Sequence, residues 1–184
     1  MNETRRSERA RTAILTATGE LIGELPYPKL TIEAIAARAG VGKQTIYRWW
    51  PSKGAVVLDA LLERDAGSEL PDTGDLRADL RPLLRGAVTA LTDPVTGGFL
   101  RAMAVEIQQD AGLAREYRER LLLPQRATVA ARLAGALPAG ADPELAVDLL
   151  LGPIQMRWSL GLGGLTEAYA DAVLEAALTA LPPA

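Results

Sequence analysis

The chain has 184 residues, of which 48% are apolar and 23% are charged, so its composition is that of a packed protein rather than a disordered one. It contains no Cys and no His, which excludes disulfides, thiol nucleophiles, imidazole bases and the usual zinc sites. Carboxylates, Ser and Lys would be the only catalytic groups left, and we expect no enzyme, no cofactor and no bound metal. No run approaches the roughly 18 apolar residues of a membrane span and no signal peptide is recognisable, so a cytoplasmic location is expected.

The net charge of −3 is the sum of two opposite regions. Residues 1–54 carry nine Lys and Arg against five acidic residues, a balance of +4, and the remainder carries eleven against eighteen, a balance of −7. A basic N-terminal third on an acidic body is typical of a DNA-binding head, because neutralisation of phosphates supplies most of the non-specific affinity for DNA. A basic, solvated face would give the same balance, so charge alone leaves both interpretations open.

Helical periodicity dominates the chain, and the first helix is predicted over residues 5–24. Its apolar stripe is formed by Ala10, Ile14, Ala17 and Leu21. Arg5 and Arg6, at its start, are either an N-terminal arm that reaches DNA or a frayed, solvated end. The segment 26–28 contains two prolines and ends this helix, because proline cannot continue it.

Two shorter helices follow. Thr31 is a good N-cap for the second helix, and Gly40 supplies the turn after it. The third helix is predicted over residues 43–50 and is stopped by Pro51, after which Ser52 caps a fourth helix. Two short helices joined by a glycine-containing turn, directly after a long helix, are typical of a helix-turn-helix.

Residues 66–75 are rich in Gly, Ser, Pro and Asp and are predicted to be a linker. Beyond them an apolar, all-helical body is expected, with helices over residues 75–91, 96–109, 111–136, 143–161 and 166–180. Prolines at positions 82, 124 and 153 fall inside three of these helices. Each of them removes a backbone hydrogen bond and therefore predicts a kink or a break.

The third helix has two chemically different faces. Ile46 and Trp50 share one face, which we expect to pack inward. The opposite face and its flanks carry side chains that suit DNA, namely Lys43, Gln44, Thr45, Tyr47 and Arg48. Gln can pair with the edge of adenine, Thr with the thymine methyl group, and Lys or Arg with guanine, while Lys53 on the next helix is placed to meet a phosphate. Each residue alone also fits a solvated face, but the set, after a glycine turn in a basic head, favours DNA.

The segment TIEAIAARAGVGKQTIYRWWPSKGAVVLDALL, residues 31–62, resembles the DNA-binding segment of the TetR family of transcriptional regulators. The matching residues are Thr31, Ile35, Ala36, Ala39, Gly40, Val41, Thr45, Ile46, Tyr47, Trp49 and Lys53. Trp50 is a departure, since the family usually has Phe there. The segments LLLPQRATVAARL and LLLGPIQMRWSLG resemble the C-terminal half of the same family more weakly.

The resemblance implies an all-α fold of about nine helices. In it, a three-helix head, residues 1–54, is joined through the fourth helix to an effector-binding and dimerisation body, residues 55–184. The two recognition helices of a homodimer would enter successive major grooves of a partly palindromic operator, about 34–36 Å apart. The DNA-contacting set that it implies is Thr31, Lys43, Gln44, Thr45, Tyr47, Trp49 and Lys53, together with Arg48 at a position whose role varies in the family.

The resemblance also places the dimer interface on the last two helices, where small residues would allow close approach. The predicted interface stripe is Ala170, Val173, Ala177 and Ala180. Periodicity alone fits an intramolecular core stripe nearly as well, and the resemblance favours the dimer.

A ligand pocket in the body would need large, adaptable apolar side chains with a few polar groups among them. The candidates are Phe99, Met103, Ile107, Tyr117, Leu121, Met156 and Trp158, with Gln108, Gln155 and Arg157 as polar groups. Ordinary core or surface positions are an alternative for each of them. The lack of Cys and His argues against a metal effector, so a small organic molecule is expected.

The sequence therefore predicts a ligand-responsive, DNA-binding repressor that is a homodimer in the cytoplasm, with a DNA operator and a small organic effector as partners. A different class of protein also fits, a helical small-molecule-binding or protein-interaction dimer whose helix-turn-helix no longer reads DNA. An enzyme that uses carboxylates, Ser or Lys is a third, much weaker alternative.

Overall fold

The computed structural model describes residues 2–65, 70–137 and 142–180, and within them every regular element is helical. The ten α-helices are α1 (Asn2–Glu24), α2 (Ile32–Ala39), α3 (Lys43–Tyr47), α4 (Lys53–Asp65), α5 (Leu76–Thr92), α6 (Pro94–Gln109), α7 (Ala111–Tyr117), α8 (Leu123–Ala134), α9 (Pro143–Ser159) and α10 (Glu167–Ala180). A 3₁₀ turn covers Tyr27–Lys29 and a π-helical segment covers Arg118–Leu122. None of these helices is both long enough and apolar enough to cross a bilayer. The all-α prediction is confirmed.

The predicted helix signals of the N-terminal region are also confirmed. The Thr31 hydroxyl oxygen accepts a hydrogen bond from the backbone N–H of Ala34 at 3.1 Å and so caps α2. Gly40 ends α2 at a φ of 67°, a left-handed conformation that glycine adopts without a steric penalty. Ser52 accepts from the backbone N–H of Ala55 at the start of α4.

The prolines act differently from one another, and at two of the three the structure has a continuous helix rather than a break. Pro82 and Pro153 lie inside α5 and α9, both of which continue through them. Burial of Leu84 and Ile154 beside them helps to offset the lost backbone hydrogen bonds. Only Pro124 coincides with a break, because the helix predicted over 111–136 changes to π geometry at 118–122 just before it. Proline has no N–H to donate to the carbonyl four residues earlier, and a π-turn is one way to rearrange such a ladder.

The chain forms two compact units, and residues 94–120 pack with the N-terminal region rather than with the remaining body. The first unit comprises Met1–Gly67 and Pro94–Arg120, and the second comprises Ser68–Asp93 and Leu121–Ala184. The functional boundary after residue 54 stays a prediction, since a packing unit and a functional domain need not coincide.

The core of the first unit is made by the apolar stripes of α1 to α4 and α6. Its fully buried side chains include Ile14, Leu15, Leu30, Ile35, Ile46, Leu58, Phe99 and Met103. Helix α6 contacts α1 and the 3₁₀ turn, where the rings of Tyr27 and Phe99 meet edge to face with their centroids 5.3 Å apart. Phe99 and Met103 are each only 1% exposed. They fill the core that holds α6 against α1.

The second unit is built around the contact of α5 with α10, with α8 and α9 completing the core. Its buried side chains include Leu80, Leu84, Val88, Leu133, Val147, Leu150, Ile154 and Leu174. Three arginines of α5, spaced by four residues, face three acids of α10 in antiparallel order. The ion pairs are Arg77–Glu175, Arg81–Asp171, Arg81–Glu175, Arg85–Asp171 and Arg85–Glu167. This ladder sets the register between the two helices.

Three of the four predicted dimer residues belong to this core, which corrects that prediction. Ala170, Val173 and Ala177 are 0%, 8% and 4% exposed and pack within the second unit, whereas Ala180 is exposed. The alternative of an intramolecular stripe is therefore right for the three. The small side chains of α10 that remain exposed are Ala168, Ala172, Ala176 and Ala180, one row further round the helix.

Candidate nucleic-acid interface

The third helix is held on the first unit by two buried side chains. Ile46 is 0% exposed and Trp50 is 4% exposed, as their shared face predicts. Helix α3 ends at Tyr47, three residues earlier than predicted, because the turn before Pro51 tightens and the N–H of Trp49 bonds to the carbonyl of Ile46 at 2.9 Å. The N–H of Trp50 also reaches the Ile46 carbonyl, at 3.0 Å, which keeps both side chains on one face.

The outer face of the same segment is open to solvent. Gln44 and Arg48 are exposed, and the rings of Tyr47 and Trp49 are exposed to 54% and 41%, high values for aromatic side chains. Thr45 is half-buried at the edge of this face. The exposed aromatic rings and polar groups can meet the sugar-phosphate backbone and base edges together.

Thr31 combines a structural role with its predicted contact. Its oxygen accepts the capping hydrogen bond of α2, and its hydroxyl also hydrogen-bonds to the Glu33 carboxylate. The side chain is exposed, so a phosphate would have to compete with this carboxylate for the hydroxyl proton.

Lys43, the first residue of α3, is already paired within the protein. Its Nζ lies 2.6 Å from Oε1 of Glu33 on α2. The hydrogen bond lowers the pKa of Glu33 and raises the pKa of Lys43, so both groups stay charged at neutral pH. The predicted phosphate contact of Lys43 therefore competes with a carboxylate of the same chain.

Lys53 is predicted to contact a phosphate, but its side chain already has partners within the protein. Its Nζ lies 3.6 Å from the centroid of the Tyr27 ring, 3.4 Å from the Tyr27 carbonyl and 3.9 Å from Oε1 of Glu106 on α6. The side chain is 25% exposed. The physical reason is that the start of α4 lies against the 3₁₀ turn and α6, where a ring face and a carboxylate attract the ammonium group.

Ion pairs take up much of the positive charge of the head. Arg11 pairs with Asp59 and Glu63, and Arg38 pairs with Glu20 and Glu24, in addition to the pairs of Lys43 and Lys53. Among the side chains described between residues 7 and 54, the cations outside these pairs are Arg9, Lys29 and Arg48. The side chains of Arg5 and Arg6 lie outside the described part of the chain, and their predicted arm stays a prediction. Arg48 is thus the unpaired cation on the recognition face.

Sequence reasoning missed the six acids that hold these cations, among them Glu33, Asp59 and Glu106. Asp59 accepts a hydrogen bond from Nε1 of Trp50 and pairs with Arg11 and Arg120. Glu33 and Lys43 are ten residues apart on different helices, and Lys53 and Glu106 are 53 apart. No periodic pattern connects residues at such separations, so only the tertiary structure identifies the pairs.

The seven predicted ligand-binding residues are divided between the two units. In the first unit Phe99 and Met103 are buried and Ile107 and Tyr117 are half-buried, and their assignment to a pocket stays a prediction. In the second unit Leu121 and Trp158 are buried and Met156 is 59% exposed. Of the accompanying polar residues, Gln108 and Gln155 are exposed, and Arg157 donates a hydrogen bond to the Gly163 carbonyl at 2.8 Å and lies over the Tyr169 ring.

The second unit has a surface cavity of about 490 Å³ at the start of α5 and the ends of α8 and α10. Its lining residues are Gly74, Asp75, Leu76, Arg77, Leu133, Ala136, Leu137 and Leu178. None of the seven predicted ligand-binding residues lines this cavity. Its one cationic side chain, Arg77, is held by Glu175 at 3.0 Å.

The outer face of α9 carries a continuous apolar row. The row consists of Leu145, Leu149, Gly152, Met156 and Leu160, and its four large side chains are exposed to 55%, 37%, 59% and 63%. Positions three and four residues apart lie on one side of a helix. An exposed stripe of this length is typical of a protein–protein interface.

Comparison with known proteins finds similarity over most of the chain. Residues 14–60 match the family model described as bacterial regulatory proteins, tetR family, and residues 70–177 match the one described as tetracyclin repressor-like, C-terminal domain. The HTH-type transcriptional regulator YdeS of Bacillus subtilis is 33% identical over 93% of this chain and 89% of its own length. The DNA-binding transcriptional repressor TetR of Mycobacteroides abscessus is 29% identical over 96% and 95%. The crystal structure of the TetR family transcription regulator SCO0332 has a TM-score of 0.82 at 34% identity, covering 95% of this chain and 99% of that one.

Proposed function

This chain belongs to the TetR family of bacterial transcriptional regulators, and we propose that it is a repressor that binds a partly palindromic operator as a homodimer and is released by a small organic effector. Members of this family are DNA-binding regulators rather than enzymes, and we infer no catalytic role for the carboxylates of this chain. Because its target is genomic DNA, we place its action in the cytoplasm.

The division of α3 and its C-terminal turn into two faces carries the proposal. Ile46 and Trp50 anchor the segment, while Gln44, Tyr47 and Arg48 are presented outward. We assign base reading to Gln44 and Thr45, and contacts with the sugar-phosphate backbone to Thr31, Tyr47, Arg48 and Trp49. We assign Lys53 to holding α4 in place first, and to phosphate only where DNA displaces its present partners.

The homodimer would use the apolar row of α9 and the alanine row of α10. Leu149 and Met156 lie in the first row, and Ala172 and Ala176 lie in the second. Two copies could bury these rows against each other around a two-fold axis, with small residues allowing close approach and large ones filling the space between. This pairing would give the two half-site contacts that a palindromic operator requires.

The effector would act by binding one separation of the two heads better than the other, since a ligand shifts an equilibrium only by its differential affinity for the two states. An organic ligand suits a chain without Cys and His. Its site among the half-buried residues Ile107 and Tyr117 stays a prediction.

DNA binding by the purified full-length chain tests the proposal. We expect tighter binding to a labelled duplex from upstream of its own coding region than to a coding-region duplex of equal length and composition, with affinity that falls as salt rises. Gln44→Ala should relax the preference at one base pair and cost about 1–3 kcal/mol there. Arg48→Ala should weaken binding to both duplexes alike and flatten the salt dependence.

Two results would contradict parts of this proposal. Absence of salt-sensitive, sequence-selective binding would favour a helical ligand-binding dimer whose helix-turn-helix does not read DNA. Equal weakening of all sequences by both substitutions would show that the division into base and backbone contacts is wrong.

A further inference from the structure

The Glu33–Lys43 pair lies beside the residues that we assign to DNA. Glu33 is the second residue of α2, two positions after Thr31, and Lys43 is the first residue of α3. Their side chains are 60% and 54% exposed, and Nζ and Oε1 are 2.6 Å apart. A carboxylate is therefore next to an ammonium group that the sequence predicts to meet a phosphate.

We propose that Glu33 neutralises Lys43 and so limits the affinity of the protein for DNA of any sequence. The inference rests on the proposed function, because it needs α3 to approach DNA. It also changes the role of Lys43, which then adds little net free energy to binding in the native sequence.

The reason is an exchange of ions. When a free lysine meets a phosphate, the DNA releases a condensed cation, and this release drives non-specific binding at low salt. When Lys43 leaves Glu33 for a phosphate, the bare carboxylate attracts a cation in its place. If Lys43 stays with Glu33, no phosphate is neutralised. In both cases the net number of cations released when the protein binds DNA is close to zero.

Two of the other acids that pair with cations of the head are placed differently. Glu20 and Glu24 lie on α1 and hold Arg38 in the last turn of α2. Among the described residues, Glu33 is thus the acid that pairs with a cation of α3. Replacing it should release a cation at the interface, whereas replacing Glu24 removes the same charge elsewhere and leaves Glu20 with Arg38.

The test uses a fluorescently labelled random-sequence duplex and the full-length protein, with anisotropy titrations at several salt concentrations. Glu33→Gln should bind about two- to tenfold more tightly at low salt, a range in keeping with weak exposed ion pairs present once in each protomer. Its plot of log affinity against log salt should be steeper by about two units for a dimer, at roughly 0.9 for each phosphate neutralised. The matched control Glu24→Gln should leave the slope unchanged.

A double-mutant cycle separates the effect of the Glu33–Lys43 pair on DNA binding from the effect of the overall charge of the protein. Lys43→Gln should change binding little in the native background and should abolish the gain in the Glu33→Gln background. If Glu33→Gln binds no more tightly than the native chain, or if its gain survives in Glu33→Gln/Lys43→Gln, the inference is overturned. If neither the native chain nor Glu33→Gln binds the duplex at any salt concentration, the proposed function fails together with it.

Discussion

Nε1 of Trp50 donates a hydrogen bond to Oδ2 of Asp59 at 2.9 Å, which ties the end of the recognition segment to α4. Asp59 also lies 3.3 Å from Arg11 on α1 and 2.8 Å from Arg120 in the π-helical segment. Its side chain is only 12% exposed, so these donors compensate the cost of burying the carboxylate. One acid thus fixes the orientation of the indole that anchors α3.

Trp50 and Trp49 are neighbours with different expected roles. Trp50→Ala should lower the free energy of unfolding by about 3–5 kcal/mol, because it removes a large core side chain and leaves Asp59 without one of its donors. Trp49→Ala should change stability little, since the ring is 41% exposed, and should weaken DNA binding instead. Thermal denaturation followed by circular dichroism and anisotropy titrations measure the two effects. Equal loss of stability in both variants would refute the division of roles.

Gly54 lies where α4 is close to side chains of α6 and α7. A Cβ atom there would lie 2.5 Å from Oε2 of Glu106 and 2.5 Å from a methyl group of Leu113. Gly54→Ala should therefore push the ends of these two side chains aside and cost up to about 1 kcal/mol of stability, less than rigid overpacking would. Gly19→Ala in α1 is the matched control, since nothing lies within 4 Å of its added methyl group, and it should stabilise by about 0.5–1 kcal/mol. A Gly54→Ala chain that is stabilised as much as the Gly19→Ala chain would disprove this close approach.

The buried pair Asp79–Arg132 should make the stability of the second unit depend on pH. Burial raises the pKa of Asp79, but hydrogen bonds from Thr73 and Arg132 outweigh it, so the pKa lies below its ordinary value. The stabilisation is present above the unfolded pKa of 3.8 and is lost as pH falls through the lower folded value.

Substitution of the arginine should change this dependence. In Arg132→Met the buried Asp79 carboxylate loses its cationic partner, so the pKa of Asp79 should rise. The loss of stability relative to the native chain should therefore be largest at neutral pH. Chemical denaturation at pH 7 and at pH 4 measures the difference. A loss of stability that is equal at both pH values would mean that Arg132 does not influence the pKa of Asp79. Arg126→Met, which removes a half-buried arginine paired with the exposed acids Glu144 and Asp148, is the control.

The apolar row of α9 can be tested by its effect on assembly. Met156→Lys should weaken the dimer by about two orders of magnitude or more, because a two-fold axis brings the two new charges near each other. Val105→Lys is the matched control on α6, where the side chain is 55% exposed. Light scattering after size-exclusion chromatography over a range of concentrations gives the dissociation constant. A Met156→Lys chain as dimeric as the Val105→Lys chain would place the interface elsewhere.

The head could be predicted in detail because its signals are local. Thr31 caps α2, Gly40 ends it, and Ile46 and Trp50 share a buried face, and each of these features depends on residues within one or two helical turns. The exposed face of Gln44, Tyr47 and Arg48 followed from the same periodicity.

Predictions failed where the outcome depended on contacts between distant segments. The residues Ala170, Val173 and Ala177 have the spacing of a helix face, but a spacing does not say whether that face meets α5 of the same chain or a second copy. Helix α9 shows the same limit, since apolar residues lie both on its buried face and in its exposed row, and their spacing does not say which of the two meets a second copy.

The sequence by itself therefore determined most of the helices, the caps of α2 and α4, the division of the recognition segment into two faces and the family. Short-range sterics, hydrogen bonding and periodic burial decide these features, and they act over a few residues. Only the tertiary structure decided which charges are available, because Lys43 meets Glu33, Lys53 meets Tyr27 and Glu106, and Trp50 meets Asp59 across different helices. Electrostatic partners are set by distance in space, and distance in space is fixed only when the helices pack.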